Sequence, residues 1–179
     1  DHVALSPDGA RVAVAVTDQN YVLLFDVESR REIGRFPHEG TVVAVSISAD
    51  GRAVATSSRD DPARVFDVAT GRATTLDLRG NHRVVTFSPD GREVATAVGD
   101  SVRVFTTATG EERARLQFPL EQVYDVTHEG KSLRIMSGST LGDTVEMIVR
   151  RHLRNPQDLI EAACVRVTRN LTPQEWTKY

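Results

Sequence analysis

A histidine, an acidic residue and two hydroxyl groups occur within residues 38–60 of the sequence. His38 precedes Asp60 by 22 residues, and Thr56 and Ser58 lie just before that aspartate. A serine or threonine nucleophile, a histidine base and an orienting aspartate are the groups that carry out acyl transfer in hydrolases. The set is therefore the first candidate for chemistry in this sequence.

Acidic residues at similar positions elsewhere in the chain favour a structural interpretation of this set. Asp18 and Asp100 also follow an apolar stretch and stand in a predicted turn. A residue type that returns at one point of each repeat supports a loop more readily than it performs catalysis. We therefore predict that His38, Asp60 and either Thr56 or Ser58 are structural, and we identify no catalytic residue.

Two further sequence patterns resemble a phosphate-binding loop and a metal site. Residues 129–132, Glu-Gly-Lys-Ser, resemble the end of a phosphate-binding loop, but Asp125 stands where that motif requires glycine. The same segment is predicted to be a hairpin, without the helix N-terminus that would bind phosphate. The acidic pairs at 60–61 and 111–112 fall in predicted turns, where charged side chains are usually solvated. No cofactor or metal is predicted.

Composition limits the classes of partner. A net charge of −3 gives no reason to expect a nucleic acid, and the single cysteine, Cys164, excludes an internal disulfide. No apolar run reaches the roughly 18 residues of a membrane span, so we expect no membrane partner and a cytoplasmic location. The sequence starts at a repeat strand without methionine. We expect it to be the C-terminal piece of a longer protein.

A repeated turn organises the chain. The repeated turn has the sequence Ser-Pro-Asp-Gly or Ser-Ala-Asp-Gly and ends at Gly9, Gly51 and Gly91, which are 42 and 40 residues apart. A divergent fourth copy ends at Gly130. A period of about 40 residues is typical of arrays in which each unit is one small sheet. The three glycines are predicted to close hairpins between the first and second strands of each unit.

Each unit predicts four short strands, which is the pattern of a β-propeller blade. The predicted fold class is all-β, a propeller-like array of four-stranded antiparallel blades with about 3.75 blades over residues 1–151. The last blade stops after its third strand. Glycine follows the third strand at Gly71 and Gly110, whereas the first unit has Arg30 there, so a different turn is predicted at Arg30.

The end of the chain changes period and predicts a short helical tail over residues 152–179. Pro156 suits a first helical position, and residues 172–175 form a capping box. We expect the basic run at 150–154 to be a solvated junction, and the tail to pack on the blades. The predicted apolar contacts are Leu159, Ile160, Ala163, Cys164, Val167 and Trp176.

Residues 37–71 resemble a WD repeat. His38 lies ten residues before Ser48, and Phe66-Asp67 stands where Trp-Asp is usual. The resemblance implies a propeller and a buried hydrogen-bonded tetrad, whose members here would be His38, Asp60 and either Thr56 or Ser58. Phenylalanine has no N–H group, so one link of that tetrad is absent.

Residues 158–164 and 168–176 resemble the tail that closes the WD-repeat region of large bacterial signal-transduction ATPases with numerous domains, the STAND class. That resemblance implies an upstream ATPase and a propeller that senses or holds a protein partner, with intramolecular contacts to the upstream domains.

Two function classes remain open from the sequence. One is a non-catalytic interaction or sensor module, and the alternative is the scaffold of a propeller enzyme with its site in the central channel. Predicted inner strands such as residues 84–87 are mostly apolar, which favours binding.

Overall fold

The computed structural model describes residues 2–59, 61–78, 82–130, 132–141 and 144–153. Consecutive strands form four blades. Blade one contains β1 (His2–Leu5), β2 (Arg11–Val16), β3 (Tyr21–Asp26) and β4 (Arg31–Pro37). Blade two contains β5 (Val42–Ile47), β6 (Ala53–Ser58), β7 (Arg64–Asp67) and β8 (Ala73–Thr75). Blade three contains β9 (His82–Phe87), β10 (Glu93–Val98), β11 (Ser101–Thr106) and β12 (Glu112–Gln117). Blade four contains β13 (Gln122–Glu129), β14 (Ser132–Leu141) and β15 (Thr144–Leu153).

The predicted all-β, blade-like architecture is confirmed. Within the described residues there are three four-stranded antiparallel sheets and one three-stranded sheet, each with its strands in chain order. The first strands of neighbouring blades contact one another, so β1, β5, β9 and β13 form the inner edge of the array. In the described part of the chain, no helix has both the length and the apolar character needed to cross a membrane.

Blade four extends further than the sequence predicts. Strand β15 continues to Leu153, so Arg150, Arg151 and His152 belong to a strand and not to a solvated junction. The reason is the pairing with β14, in which Ile135 lies opposite Arg150 and Leu133 lies opposite His152. The remainder of the predicted helical tail, residues 154–179, lies outside the described residues.

One hairpin design recurs in the first three blades. In blade two, Ser48 Oγ donates to Asp50 Oδ1 at 2.7 Å and accepts the Ala53 N–H at 2.9 Å. Asp50 Oδ1 also accepts the Arg52 N–H at 3.0 Å, and these hydrogen bonds lower the pKa of the Asp50 carboxyl, the one from Ser48 most strongly. Gly51 follows with φ of +69°, a conformation that glycine adopts without strain.

Blades one and three repeat these contacts. Ser6 and Ser88 donate to Asp8 and Asp90 at 2.6 Å in each case. The short motif read from the sequence is therefore a complete local network in three successive units.

Each blade has two faces. We call the face toward the preceding blade the incoming face and the face toward the following blade the outgoing face, which in blades one to three carries the alanines of the second strand. Ala13 and Ala15 on the outgoing face of blade one are fully buried against Val54 and Phe66 on the incoming face of blade two. Alanine leaves room for the larger side chains opposite, so the sheets can approach closely. The same arrangement joins blades two and three, and blades three and four.

The array has an exposed apolar face at each end. Val3 and Leu5 on the incoming face of blade one are 64% and 62% exposed. On the outgoing face of blade four, Met147 and Val149 are 48% and 64% exposed.

The prediction of a different turn at Arg30 is wrong. Arg30 adopts φ of +57°, close to the +69° of Gly71 at the matching position of blade two. Both turns use the same side-chain contacts, since Asp26 accepts the Ser29 N–H and Asp67 accepts the Thr70 N–H, each at 2.8 Å. The aspartate network holds the turn in shape even though arginine is strained in this region.

Replacing Arg30 with glycine should therefore stabilise the protein. We expect Arg30→Gly to raise the free energy of unfolding by about 1 kcal/mol, because the left-handed strain is removed. The matched control is Arg31→Gly in strand β4, which should lower it by about 0.5–1 kcal/mol through the entropy of glycine. Urea titration measures both, and a loss of stability in Arg30→Gly equal to that of the control would contradict the assignment.

Candidate functional site

His38 is the centre of a buried polar cluster between blades one and two. Its side chain is 0% exposed, with Nδ1 3.2 Å from Asp61 Oδ2 and Nε2 2.7 Å from Thr56 Oγ1. Its backbone N–H donates to the Asn20 carbonyl of blade one at 2.8 Å. The residue thus connects the segment after β4 both to β6 and to the turn between β2 and β3.

The protonation of the cluster follows from its chemistry. A carboxylate can only accept, so His38 Nδ1 carries the hydrogen that Asp61 receives. Burial lowers the pKa of His38 below its usual 6.5, with Arg64 acting in the same direction and Asp61 opposing it. The ring is therefore neutral at pH 7, Nε2 is an acceptor, and the Thr56 hydroxyl donates to it.

Asp61 extends the cluster to the backbone around His38. It accepts the Glu39 N–H at 3.3 Å and the Arg64 Nη2–H at 3.1 Å, while Arg64 Nη1 donates to the Pro37 carbonyl at 3.2 Å. These contacts connect residues 37–39 to the entry of β7. The arrangement holds a loop in place and leaves no face of the histidine open to solvent.

Phe66 packs against His38 and Phe36 at the position where a WD repeat usually has tryptophan, whose N–H would donate a hydrogen bond. Its ring lies 5.7 Å from the His38 ring in an edge geometry and 4.9 Å from the Phe36 ring. The absent N–H is thus compensated by aromatic contacts, which are worth about 0.5–1.5 kcal/mol each beyond area burial.

The structure identifies Thr56 as the hydroxyl partner of His38 and Asp61 as its acidic partner. Thr56 reaches His38, whereas Ser58 is fully buried and its Oγ has no hydrogen-bond partner among the described residues. Asp60 lies outside the described residues, and the carboxylate that contacts His38 belongs to Asp61. No local pattern in the sequence separates the two adjacent aspartates.

Among the described residues, the acidic residues predicted for the other blades take part in no comparable cluster. The side chains of Asp18 and Asp100 are exposed. The Asp100 carbonyl accepts the Phe118 N–H at 2.8 Å, which repeats the contact between Asn20 and His38 with backbone groups alone. The junction between blades three and four therefore keeps this backbone contact with Phe118 in place of the histidine.

Blade three retains one member of the cluster without its partner. Thr96 pairs with Val85 as Thr56 pairs with Val45, and it is fully buried. Ten residues before Ser88, where blade two has its histidine, blade three has the buried Leu78. The Thr96 hydroxyl has no hydrogen-bond partner in the part of the chain that the structure describes.

A second polar cluster, not predicted from the sequence, lies in blade four. Arg150 Nη2 donates to Glu121 Oε1 at 2.7 Å, and Arg150 Nη1 donates to both Glu121 Oε2 and Ser137 Oγ. The guanidinium also lies 5.5 Å from the centre of the Phe118 ring. Arg150, with Ser137 in a lesser role, lowers the pKa of the Glu121 carboxyl. Sequence reasoning predicts no partner for Arg150, because it places this residue in a solvated junction.

This second cluster supports an unusual residue. Leu120 is 95% exposed and has φ of +70°, which a branched side chain rarely adopts. The turn that holds it is closed by the Glu121 N–H, which donates to the Phe118 carbonyl at 3.0 Å. A large apolar side chain is thus presented to solvent on a fixed backbone.

The other sequence candidates for ligand sites are structural. Gly130, with φ of +58°, lies in the tight hairpin between β13 and β14, as predicted for the segment that imitates a phosphate loop. The described residues contain no group of three or more potential metal ligands. A cavity of about 390 Å³ lies against the inner strands and has no titratable side chain in its lining. Its walls include Leu5, Val45, Ile47, Thr86 and Phe87.

Comparisons with known proteins agree with this geometry. Residues 30–67, which contain the His38 cluster, match the family described as WD domain, G-beta repeat. Pre-mRNA-processing factor 19 homolog 2 of Arabidopsis thaliana is 29% identical over 137 residues, which is 76% of this chain and 25% of that protein. WD repeat-containing protein 1 of Xenopus tropicalis is 36% identical over 77 residues, which is 41% of this chain and 12% of that protein. The chain spans a quarter or less of the length of these relatives.

A solved structure shows the same fold. A chain of Kuenenia stuttgartiensis Hydrazine Synthase superposes with a TM-score of 0.73 at 18% sequence identity, covering 87% of this chain and 51% of that chain. At this identity the likeness concerns the fold alone. Together the comparisons and the blades show a propeller-like fold in which residues 30–67 match a WD40 repeat.

The two threonines offer a matched test of the His38 cluster. Thr56→Val removes the donor to a buried histidine and should lower the free energy of unfolding by about 1–3 kcal/mol. Thr96→Val removes a buried hydroxyl without a described partner and should be neutral or stabilising. Urea denaturation of both variants measures the difference, and equal effects would show that the bond to His38 adds nothing.

Proposed function

We propose that this chain is a non-catalytic, protein-binding WD-repeat module that serves as a sensor or scaffold in a larger bacterial signalling ATPase of the STAND class. WD-repeat domains act generally in protein interaction. The observation that carries the binding role here is the rigid presentation of Leu120. Its exposure and its backbone conformation are unusual together.

Burial of the His38 cluster argues against hydrolytic chemistry. A general base must come within hydrogen-bond reach of a substrate proton, and the His38 side chain is 0% exposed. Both of its ring nitrogens are already engaged, by Asp61 and by Thr56. The groups that resemble a catalytic triad are instead bonded to one another and to the backbone.

The strain at Leu120 supports an interaction role. A non-glycine residue in the left-handed region costs about 1–2 kcal/mol, and such strain is concentrated at functional positions. Glu121, Arg150 and Phe118 hold the turn, so the leucine loses little further freedom when it binds. Rigid apolar side chains inserted into a partner's pocket are typical anchors of protein interfaces. The partner should therefore offer an apolar pocket.

The lining of the inner cavity bears on the alternative, a propeller enzyme with a channel site. Acid–base or nucleophilic catalysis needs titratable or activated groups that converge on the substrate. The walls of the 390 Å³ cavity are apolar residues, alanine, proline, serine and threonine. We therefore favour binding over catalysis for this chain.

The wider context rests on the tail resemblance at residues 158–176, which lie outside the described residues. It supports an upstream ATPase, intramolecular contacts with the upstream domains and a cytoplasmic location as parts of the same proposal. The full-length protein should hydrolyse ATP, and this chain alone should not. Hydrolysis by residues 1–179 alone would contradict the non-catalytic assignment.

Leu120→Ala tests the anchor. Proteins that co-purify with the full-length protein from its native cells should be reduced about tenfold or more for Leu120→Ala, the effect of losing about 1.4 kcal/mol of binding energy. The matched control is Val27→Ala, which removes a 44% exposed apolar side chain in the turn between β3 and β4. That turn lies at the opposite edge of the blades.

The measurement is quantitative mass spectrometry of the purified complexes, with thermal unfolding to confirm that both variants fold. The control should retain the partners. Full retention of every partner by Leu120→Ala, or equal loss in the two variants, would overturn the role of Leu120.

A further inference from the structure

The outgoing face of blade four differs from the outgoing faces of the other blades. The first position is Ala13, Ala55 or Ala95 in blades one to three, but Arg134 in blade four. The second position is Ala15, Ser57 or Ala97, but Met136 in blade four. Opposite Arg134 stands Arg151, where the other blades have Leu24, Val65 or Val104.

These substitutions make the face unsuitable for another blade of the same kind. The small residues are what allow the neighbouring incoming face to approach, and a blade packed on Arg134 and Arg151 would bury two guanidinium groups. Glu129 lies 3.2 Å from Arg134 and 3.9 Å from Arg151, and the side chains of the two arginines are 52% and 67% exposed. Burial of such charges without full compensation is unfavourable.

An apolar strip remains beside the arginines. Met136 lies opposite Val149 in the sheet, and Met147 is two residues further along β15. Val149 is 64% and Met147 is 48% exposed. Asp125 and Glu129 are on the inner strand of the same face, away from the outer strand that carries Val149 and Met147.

We propose that the chain's own residues 156–167, which the sequence predicts to be helical, cover this strip on blade four. Strand β15 ends at Leu153, two residues after Arg151, so the chain leaves the blade at the end of this face. The predicted helix needs only a two-residue connection, residues 154–155, to turn back along β15. The segment that follows is therefore close to the strip at high effective concentration.

The exposed face of β15 is about as long as the apolar stripe of the predicted helix. Residues 147–151, which comprise the apolar strip on β15 and the stem of Arg151, span about 13 Å at 3.3 Å per residue. The predicted apolar stripe from Leu159 to Val167 spans about 12 Å at 1.5 Å per residue in a helix. A helix of this size is marginal in water unless its apolar face is covered.

The charges are compatible with this direction. Asp158 falls in the first turn of the predicted helix, at the end nearest Arg151. Carboxylates at a helix N-terminus are favourable, and the arginine stems can lie along the helix flank with their charges in water.

The single cysteine of the chain permits a direct test. Cys164 lies on the predicted apolar stripe, about 12 Å along the helix from Pro156. Val149→Cys places a second thiol at a similar distance from the exit point. The matched control is Val3→Cys on the incoming face of blade one, since both valines are 64% exposed and neither replacement disturbs the core.

The experiment treats both variants of the full 179-residue chain with a short bis-maleimide at low protein concentration and follows the products by intact mass and peptide mapping. We expect intramolecular linkage of Cys164 to the new thiol at least tenfold faster in Val149→Cys than in Val3→Cys. Equal rates, or a faster reaction in Val3→Cys, would overturn the proposal. Predominant linkage between two molecules of Val149→Cys would also overturn it, since a second copy would then cover the face.

Discussion

The contact between the alanine-bearing outgoing face of one blade and the incoming face of the next is the constraint on which the rest of the structure depends. A four-stranded sheet of short strands cannot bury its own apolar faces, so each blade is stable only against a neighbour. Ala13, Ala15 and Ala95 are 0% exposed, which shows how closely the sheets approach. The hairpins, the polar clusters and the exposed ends can all be understood as consequences of this packing.

Polar groups add order to this apolar arrangement in two ways. Within a blade, the Ser–Asp network of each hairpin satisfies backbone donors at the turn and fixes the register of the first two strands. Between blades, His38 does the same for the segment that leads from blade one to blade two. Ten residues before its hairpin serine, blade three has the buried Leu78 in place of a histidine. The residues that match the WD-repeat family, 30–67, are those that contain the His38 cluster.

Much of the fold could be predicted from the sequence because each copy of the repeat corresponds to one blade. The period of the glycines, the alternation of apolar residues and the positions of Gly9, Gly51 and Gly91 define the strands and hairpins of each blade. The exceptions have specific causes. Arg30 takes a glycine conformation because the Asp26 network imposes the turn, and Arg150 belongs to a strand because it pairs with Ile135 and contacts Glu121. The choice of Asp61, and the exposure of Leu120, depend on side-chain directions that no local pattern encodes.

The central role of blade-to-blade packing can be tested by overfilling one interface. Ala95→Leu adds bulk to the outgoing face of blade three, whereas Ala114→Leu adds the same bulk to an exposed position on β12 of the same blade. If close approach between the faces holds the array together, the free energy of unfolding in urea should fall by about 1–3 kcal/mol for Ala95→Leu and change little for Ala114→Leu. Unchanged stability in Ala95→Leu would contradict the account.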